Sequence, residues 1–390
     1  MVLNRRSFLY TAAAPLLAGR SAGRPPNILL ILAESLGAWT LGCYGAKEIH
    51  TPSLDRLAHG GVRFSHHVVS APEAAPSTAT LLTGLLPRQH GAGEKREVSG
   101  GVAMISTLFA RAGYNCGFVG QWALGGVDGE RHGFGYWQPQ QGFPTQSAVE
   151  FLARQKPGQP FFLLACYPAI RPPYEGHAQK YYDLYARSQF EGLGWLPAAA
   201  NAAGGAEYLK DVPASLRKAA AEISALDGEL GVVLPALDRQ GLWGDTLVVF
   251  TAACGHLMGR HGLWGAGRAS NPVNMYDESV MTPLIWNWPG RLPVQGVRPE
   301  IVGGDDLLPS LCEAAGVPLP QGQPLAGQSY LALAANRPLA EKKPWRSLAF
   351  SELDDTAMAR DSRFKVVVRG EDNAAGEFYD MRLDPWETTN

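Results

Sequence analysis

The sequence predicts an α/β protein, a large, mostly parallel sheet flanked by helices and followed by a small C-terminal subdomain of short antiparallel strands. Three observations carry this. Residues 27–33 (NILLILA), 161–166 (FFLLAC) and 246–252 (TLVVFTA) are continuous apolar runs, as expected of strands covered on both faces rather than one. Residues 105–112 and 216–240 have helical periodicity and end at Gly113 and Gly241. The 45 glycines and 29 prolines suit the many loops of such a fold.

Length and composition bound the function. A chain of 390 residues with 46% hydrophobic content can bury a large core. Its 34 basic and 36 acidic residues give a net charge of −2 without long runs, which argues against nucleic acid or an anionic membrane as partner. Five cysteines (Cys43, Cys116, Cys166, Cys254 and Cys312) without CxxC spacing make neither a disulfide framework nor a zinc site. At the N-terminus, Asn4-Arg5-Arg6-Ser7-Phe8-Leu9 precedes an apolar run at 10–18 that is too short to span a membrane. This start resembles a twin-arginine export signal. Residues 1–22 are therefore set apart, the α/β domain is expected over 24–335 and the subdomain over 336–390. The mature chain is expected outside the cytoplasm, periplasmic or extracellular, without a transmembrane span.

Taken in order, the first strand, 27–33, leads into Ala33-Glu34-Ser35-Leu36-Gly37. Ligands in parallel sheets sit at the carboxyl ends of strands, so Glu34 and Ser35 stand where chemistry would be built. Gly42-Cys43-Tyr44-Gly45 follows, and then a helix with Thr51 as N-cap, Pro52 at its first position and Gly60-Gly61 at its end. Residues 62–69 read as a strand, on which the adjacent His66 and His67 point to opposite faces and do not share a metal. The stretch 70–93, SAPEAAPSTATLLTGLLPRQHGAG, contains Ala74, Pro76, Ser77, Thr78 and Leu81-Leu82-Thr83-Gly84. After the strand 114–120 comes Gly120-Gln121-Trp122-Ala123-Leu124-Gly125, and after 161–166 comes Pro168-Ala169-Ile170-Arg171-Pro172-Pro173-Tyr174. Residues 175–211 are irregular and read as an excursion over the active face. The long helix at 216–240 contains Ala225-Leu226-Asp227, and the strand 246–252 ends in Ala253-Cys254-Gly255-His256. Then come His261-Gly262-Leu263-Trp264-Gly265-Ala266-Gly267, Asp277-Glu278-Ser279-Val280, Thr282-Pro283-Leu284-Ile285 and a helix over 306–316. Short strands at 363–368 and 377–379 precede Asp384-Pro385-Trp386-Glu387.

In this order, from Asn27 to Asn390, these motifs resemble the sulfatase family of the alkaline phosphatase superfamily, which implies that family's fold. The family signature reads C-x-P-S-R, a helix and T-G. Its Cys or Ser becomes the formylglycine nucleophile. The resemblance places Ala74 at that position and Thr78 at the Arg position, so formylglycine cannot form. The family's A-D-D-x-G and D-H-G or D-N-G hold calcium, and the corresponding positions here are Glu34, Ser35, Ala253 and Cys254. The sulfate-binding Lys and His of G-K-W-H-L-G become Gln121 and Ala123. The His of H-x-P becomes Arg171, and the Lys of H-G-L-W-G-K-G becomes Ala266.

The departures fall on functional positions while neighbouring Gly, Pro, Trp and Leu positions match. Ester cleavage needs a nucleophile, a hard cation and donors for the developing charge. Calcium takes about 6 to 8 oxygen ligands, and a thiol is a poor partner for it. The expectation is a degenerate member, a pseudoenzyme with no calcium and no other cofactor, that binds a glycan, a sulfated ligand or an active sulfatase relative. A second reading is an atypical sulfate or phosphate ester hydrolase rebuilt on Glu34, Ser35, Arg171 or His256, and a third is a structural or envelope-assembly role. Ser77, Cys254, His256 and His261 are candidates for a relocated site, and Trp122 and Trp264 are candidate stacking faces for a sugar.

Overall fold

The computed structural model describes residues 24–93, 96–126, 128–339, 344–370 and 376–390. The expected export signal lies outside them. Eight strands form the main sheet: β1 (Asn27–Ser35), β2 (Val62–Val68), β3 (Asn115–Gly120), β4 (Tyr136–Pro139), β5 (Phe161–Tyr167), β6 (Thr246–Cys254), β7 (Leu284–Asn287) and β8 (Gly296–Gly303). Their order is β4-β3-β5-β1-β6-β7-β2-β8. Only β7 runs against its neighbours β6 and β2, and the other pairs are parallel. A second sheet, in the order β12-β11-β10-β9, is an antiparallel meander of β9 (Ala349–Leu353), β10 (Thr356–Arg360), β11 (Phe364–Arg369) and β12 (Glu377–Asp380). The expected α/β class with a small antiparallel subdomain is therefore the observed architecture.

The unbroken apolar runs have a direct cause. Side chains of β1 alternate between two cores: Leu29, Ile31 and Ala33 pack with Leu216, Ile223 and Leu226 of the helix Val212–Arg239. Ile28, Leu30 and Leu32 pack on the other face with Leu82, Phe109 and Leu308. Each such side chain removed from water contributes about 1.5–3 kcal/mol, so both faces must be apolar.

The helix Pro52–His59 matches its predicted span but not its predicted cap. The Thr51 side chain makes no cap bond; its Oγ1 instead accepts from Gly42 N at 2.9 Å. The cap comes from a remote residue. Asp227, in the middle of the helix Val212–Arg239, accepts Ser53 N at 2.9 Å and Leu54 N at 2.8 Å. That long helix starts earlier than predicted because Asp211 caps it, accepting Ala214 N at 3.0 Å, and a proline in the first turn needs no donor there.

The small sheet is fastened to the main body by charge. Lys365 of β11 is fully buried, and its Nζ lies 3.1 Å from Asp277 Oδ1 and also pairs with Glu387. Arg360 of β10 reaches the same Asp277. Burial opposes the Lys365 charge, but the two carboxylates outweigh it and raise its pKa.

Two stability tests follow from these contacts. Asp227→Ala strands two buried N–H groups and is expected to cost about 1–3 kcal/mol in urea unfolding, with aryl ester assays unchanged. Lys365→Met leaves buried Glu387 without its cation and should cost about 3–5 kcal/mol, measured the same way.

Candidate functional site

β3, β5, β1 and β6 are adjacent and parallel, so their carboxyl ends deliver Gln121, Arg171, Glu34-Ser35 and Cys254 to one region. Two glycines allow the chain to turn there. Gly120 has φ +103°, and a Cβ on it would lie 2.0 Å from the Cys166 carbonyl oxygen. A Cβ on Gly255 would lie 1.9 Å from the Glu278 carbonyl oxygen.

Arg171 is the hub. Its Nη1 donates to Gln121 Oε1 at 2.7 Å and lies 3.9 Å from Glu34 Oε2. Its backbone N–H points to both oxygens of Glu222, at 3.2 and 3.3 Å. Glu34 Oε2 is buried and accepts no hydrogen bond. Glu222 is 3% exposed. Burial pushes its carboxyl up to about 8, against the Arg171 N–H, and the Glu34 charge adds to the rise. Burial likewise raises Glu34, while Arg171 and Arg96 lower it. Sequence reading had missed Glu222. Its signal was a carboxylate inside the run Ala219 to Leu226, where other positions are apolar or small.

The four positions of the implied calcium site do come together, but their side chains do not fit a calcium ion. Ser35 Oγ donates to the Gly255 carbonyl at 2.7 Å, the Cys254 thiol donates to the Glu34 carbonyl at 3.5 Å, and Ala253 supplies a buried methyl group. Glu34 faces Arg171. Among the described residues no group of three or more His, Cys, Asp or Glu side chains could hold a metal.

Ala74 begins the helix Ala74–Thr83, following β2. The Ala266 loop lies beside it, with Gly267 N donating to Pro72 O at 3.0 Å and Arg268 bonded to Glu73 at 2.9 Å. Ser77 and Thr78 are buried in this helix, and no base is bonded to the Ser77 hydroxyl, which has no hydrogen-bond partner. Ala123 is half-buried in the loop after β3.

Cys254, His256 and His261 are each engaged by their surroundings. Burial, with the Glu34 and Glu73 charges, pushes the Cys254 thiol up to about 12. Burial pushes His256 down to about 3, and its Nδ1 accepts Met258 N at 3.1 Å. His261 stacks on Tyr276 with centroids 3.7 Å apart and bonds Glu278, which Arg260 also holds at 2.8 Å. The two tryptophans both pack against neighbouring aromatic rings. Trp264 is 3% exposed and donates to Tyr174 Oη at 2.7 Å, and Trp122 packs among Phe118, His132 and Trp137. Trp264 is enclosed, whereas Trp122 is half-buried. Beside Arg171 opens a cleft of about 680 Å³, lined by Gln121, Phe143, Arg171, Tyr174, His177 and Glu222 among others.

The family model described as Sulfatase matches residues 26–317, which is most of the chain. The chain belongs to the sulfatase family. A model of the C-terminal region of N-sulphoglucosamine sulphohydrolase matches residues 271–390 of this sulfatase-family chain. Arylsulfatase A of Homo sapiens is 34% identical over 359 residues, covering 81% of this chain and 68% of that protein. N-acetylgalactosamine-6-sulfatase of Canis lupus familiaris is 25% identical over 391 residues, covering 83% and 68%. Two solved structures share the fold. A protein in complex with its substrate D-glucosamine-2-N,6-O-disulfate superposes with TM-score 0.80 at 20% identity, covering 94% of this chain and 93% of that one. Phosphonate monoester hydrolase of Agrobacterium radiobacter gives 0.79 at 21% identity, covering 94% and 91%.

The Glu222 environment yields a pH test. Its folded pKa of about 8 lies above the ordinary 4.5, so the native state holds the proton more tightly than the unfolded chain. That stabilisation is complete below 4.5 and is lost as pH rises through about 8. The free energy of unfolding should fall across this window, and Glu222→Gln should flatten the slope.

Proposed function

We propose that this chain is a sulfatase-family protein that binds a ligand at the carboxyl ends of its central strands without cleaving a sulfate ester. The observation that carries the proposal is the methyl group of Ala74 at the head of its helix, where the family resemblance expects the nucleophile. Gln121, Ala123 and Ala266 supply none of the cations expected for sulfate, and losing even one donor to developing charge costs about 3–4 kcal/mol in the barrier. The proposal includes the absence of resident calcium, supported by the donor set of Glu34, Ser35, Ala253 and Cys254. It also includes export through the Arg5-Arg6 start. The disulfated amino sugar bound by the first structural relative is the reason for choosing saccharides as ligands.

The test is turnover of aryl sulfate and aryl phosphate by the purified mature chain, together with its calcium content by elemental analysis. Both should be at background. Ala74→Cys, made with the formylglycine-generating enzyme, should remain inactive because the other donors are still missing. Turnover that stays with the protein through successive columns and disappears in Arg171→Ala would establish a rebuilt hydrolase instead.

A further inference from the structure

We propose that the outer face of the small C-terminal sheet is a self-association surface, on which a second copy of this chain packs sheet against sheet. An antiparallel sheet with one face in water normally alternates apolar residues inward with polar residues outward. In this sheet the outward face is largely apolar too, as expected of strands covered on both sides.

Inward, Leu353, Met358 and Val367 pack with Val68 and Ile301 of the main sheet. Outward, the strand registers set Phe350 of β9, Ala359 of β10, Val366 of β11 and Phe378 of β12 in one row across all four strands. Phe364, two residues before Val366, shares that face and stacks on Phe378 with centroids 5.5 Å apart. Phe350 is 53% exposed, Phe378 56%, Val366 39% and Phe364 37%. At roughly 150–250 Å² per aromatic side chain, the three phenylalanines alone leave about 200–350 Å² in water. A standard interface takes about 800 Å² from each partner, a little over half of it apolar. With Val366, Val368, Ala357 and Ala359 the patch approaches that apolar share.

Relief and charge both fit a second copy. Ala357 and Ala359 leave β10 low between Phe350 on one side and the stacked Phe364 and Phe378 on the other. In a two-fold contact the aromatic pair of each copy seats over the alanines of the other, so one set of residues serves both sides. The two sheets then stack about 10 Å apart, as in a sandwich. The carboxylates on this face are matched within one copy. Glu352, opposite Ala357, pairs with Arg88 at 3.1 Å, and Asp380, opposite Phe364, pairs with Arg363 at 2.9 Å. A second copy therefore meets no uncompensated like charge on this face, and a strongly charged partner finds nothing there to select it.

The experiment is sedimentation velocity of the mature chain at concentrations from about 1 to about 100 μM, with far-ultraviolet circular dichroism on every variant. A concentration-dependent equilibrium between monomer and dimer is expected. Phe350→Asp and Phe378→Asp should each weaken the dimer at least about ten-fold with unchanged circular dichroism, because each would bury a carboxylate against apolar surface. Phe350→Ser, a milder change, should act in the same direction if an aspartate disturbs folding. Val294→Asp, at an exposed position outside this sheet, should leave the dimer intact. A chain that is monomeric at every concentration overturns the proposal, and so does a dimer that the folded face variants leave unchanged. Binding of the monomer to phosphatidylglycerol vesicles, lost in Phe378→Asp, would assign the face to a membrane and overturn it as well.

Discussion

Strand β1 must be covered on both faces, and the rest of the molecule follows from that requirement. It pairs with β5 on one side and β6 on the other, and its side chains feed two separate cores. A strand so enclosed cannot slip by one residue, because a slip would move every side chain into the opposite core. Register is thereby fixed at its far end. Ser35 N bonds Ala169 O at 2.7 Å and Ile170 N bonds Ser35 O at 2.6 Å, while Leu36 N bonds Cys254 O at 2.7 Å. The strand ends that carry Glu34 and Cys254 and the loop that carries Arg171 are thus held against one another by backbone bonds. Side chains there can change identity without disturbing the frame.

Some positions near these strand ends are constrained by the frame itself. Gly120 and Gly255 are dictated by backbone contacts that no larger residue could satisfy. Trp122 and Trp264 are bound into aromatic packing. Ala74, Ala123 and Ala266 are half-buried, and Ala74 packs against the core on its face of the sheet.

The parts of the fold legible in the sequence were those encoded locally. β1, β5 and β6 announced themselves as apolar runs, and the long helix by its periodicity. β4 and β7, four residues each, leave too little pattern to read, and β9 and β10 are short strands whose outward face is not uniformly polar. The cap on helix Pro52–His59 comes from Asp227, 174 positions away from Ser53, and nothing in the local sequence points to it. The same holds for the site. Strand ends bring Glu34, Arg171, Gln121 and Cys254 to one region, whereas Glu222 joins them from a helix 51 residues after Arg171. Trp264 was visible as a residue type, but its burial depends on Tyr174 and Tyr208, from the irregular stretch around 175–211.

The buried ion cluster also orders the making of the molecule in time. Asp277, at the start of the short helix Asp277–Val280 that precedes β7, finds its counter-ions in Arg360 and Lys365, and Lys365 in turn is shared with Glu387. A ribosome reaches those residues only after the eight strands of the main sheet have been made. Until then a central acidic group has no partner, so the body of the protein is completed from its tail.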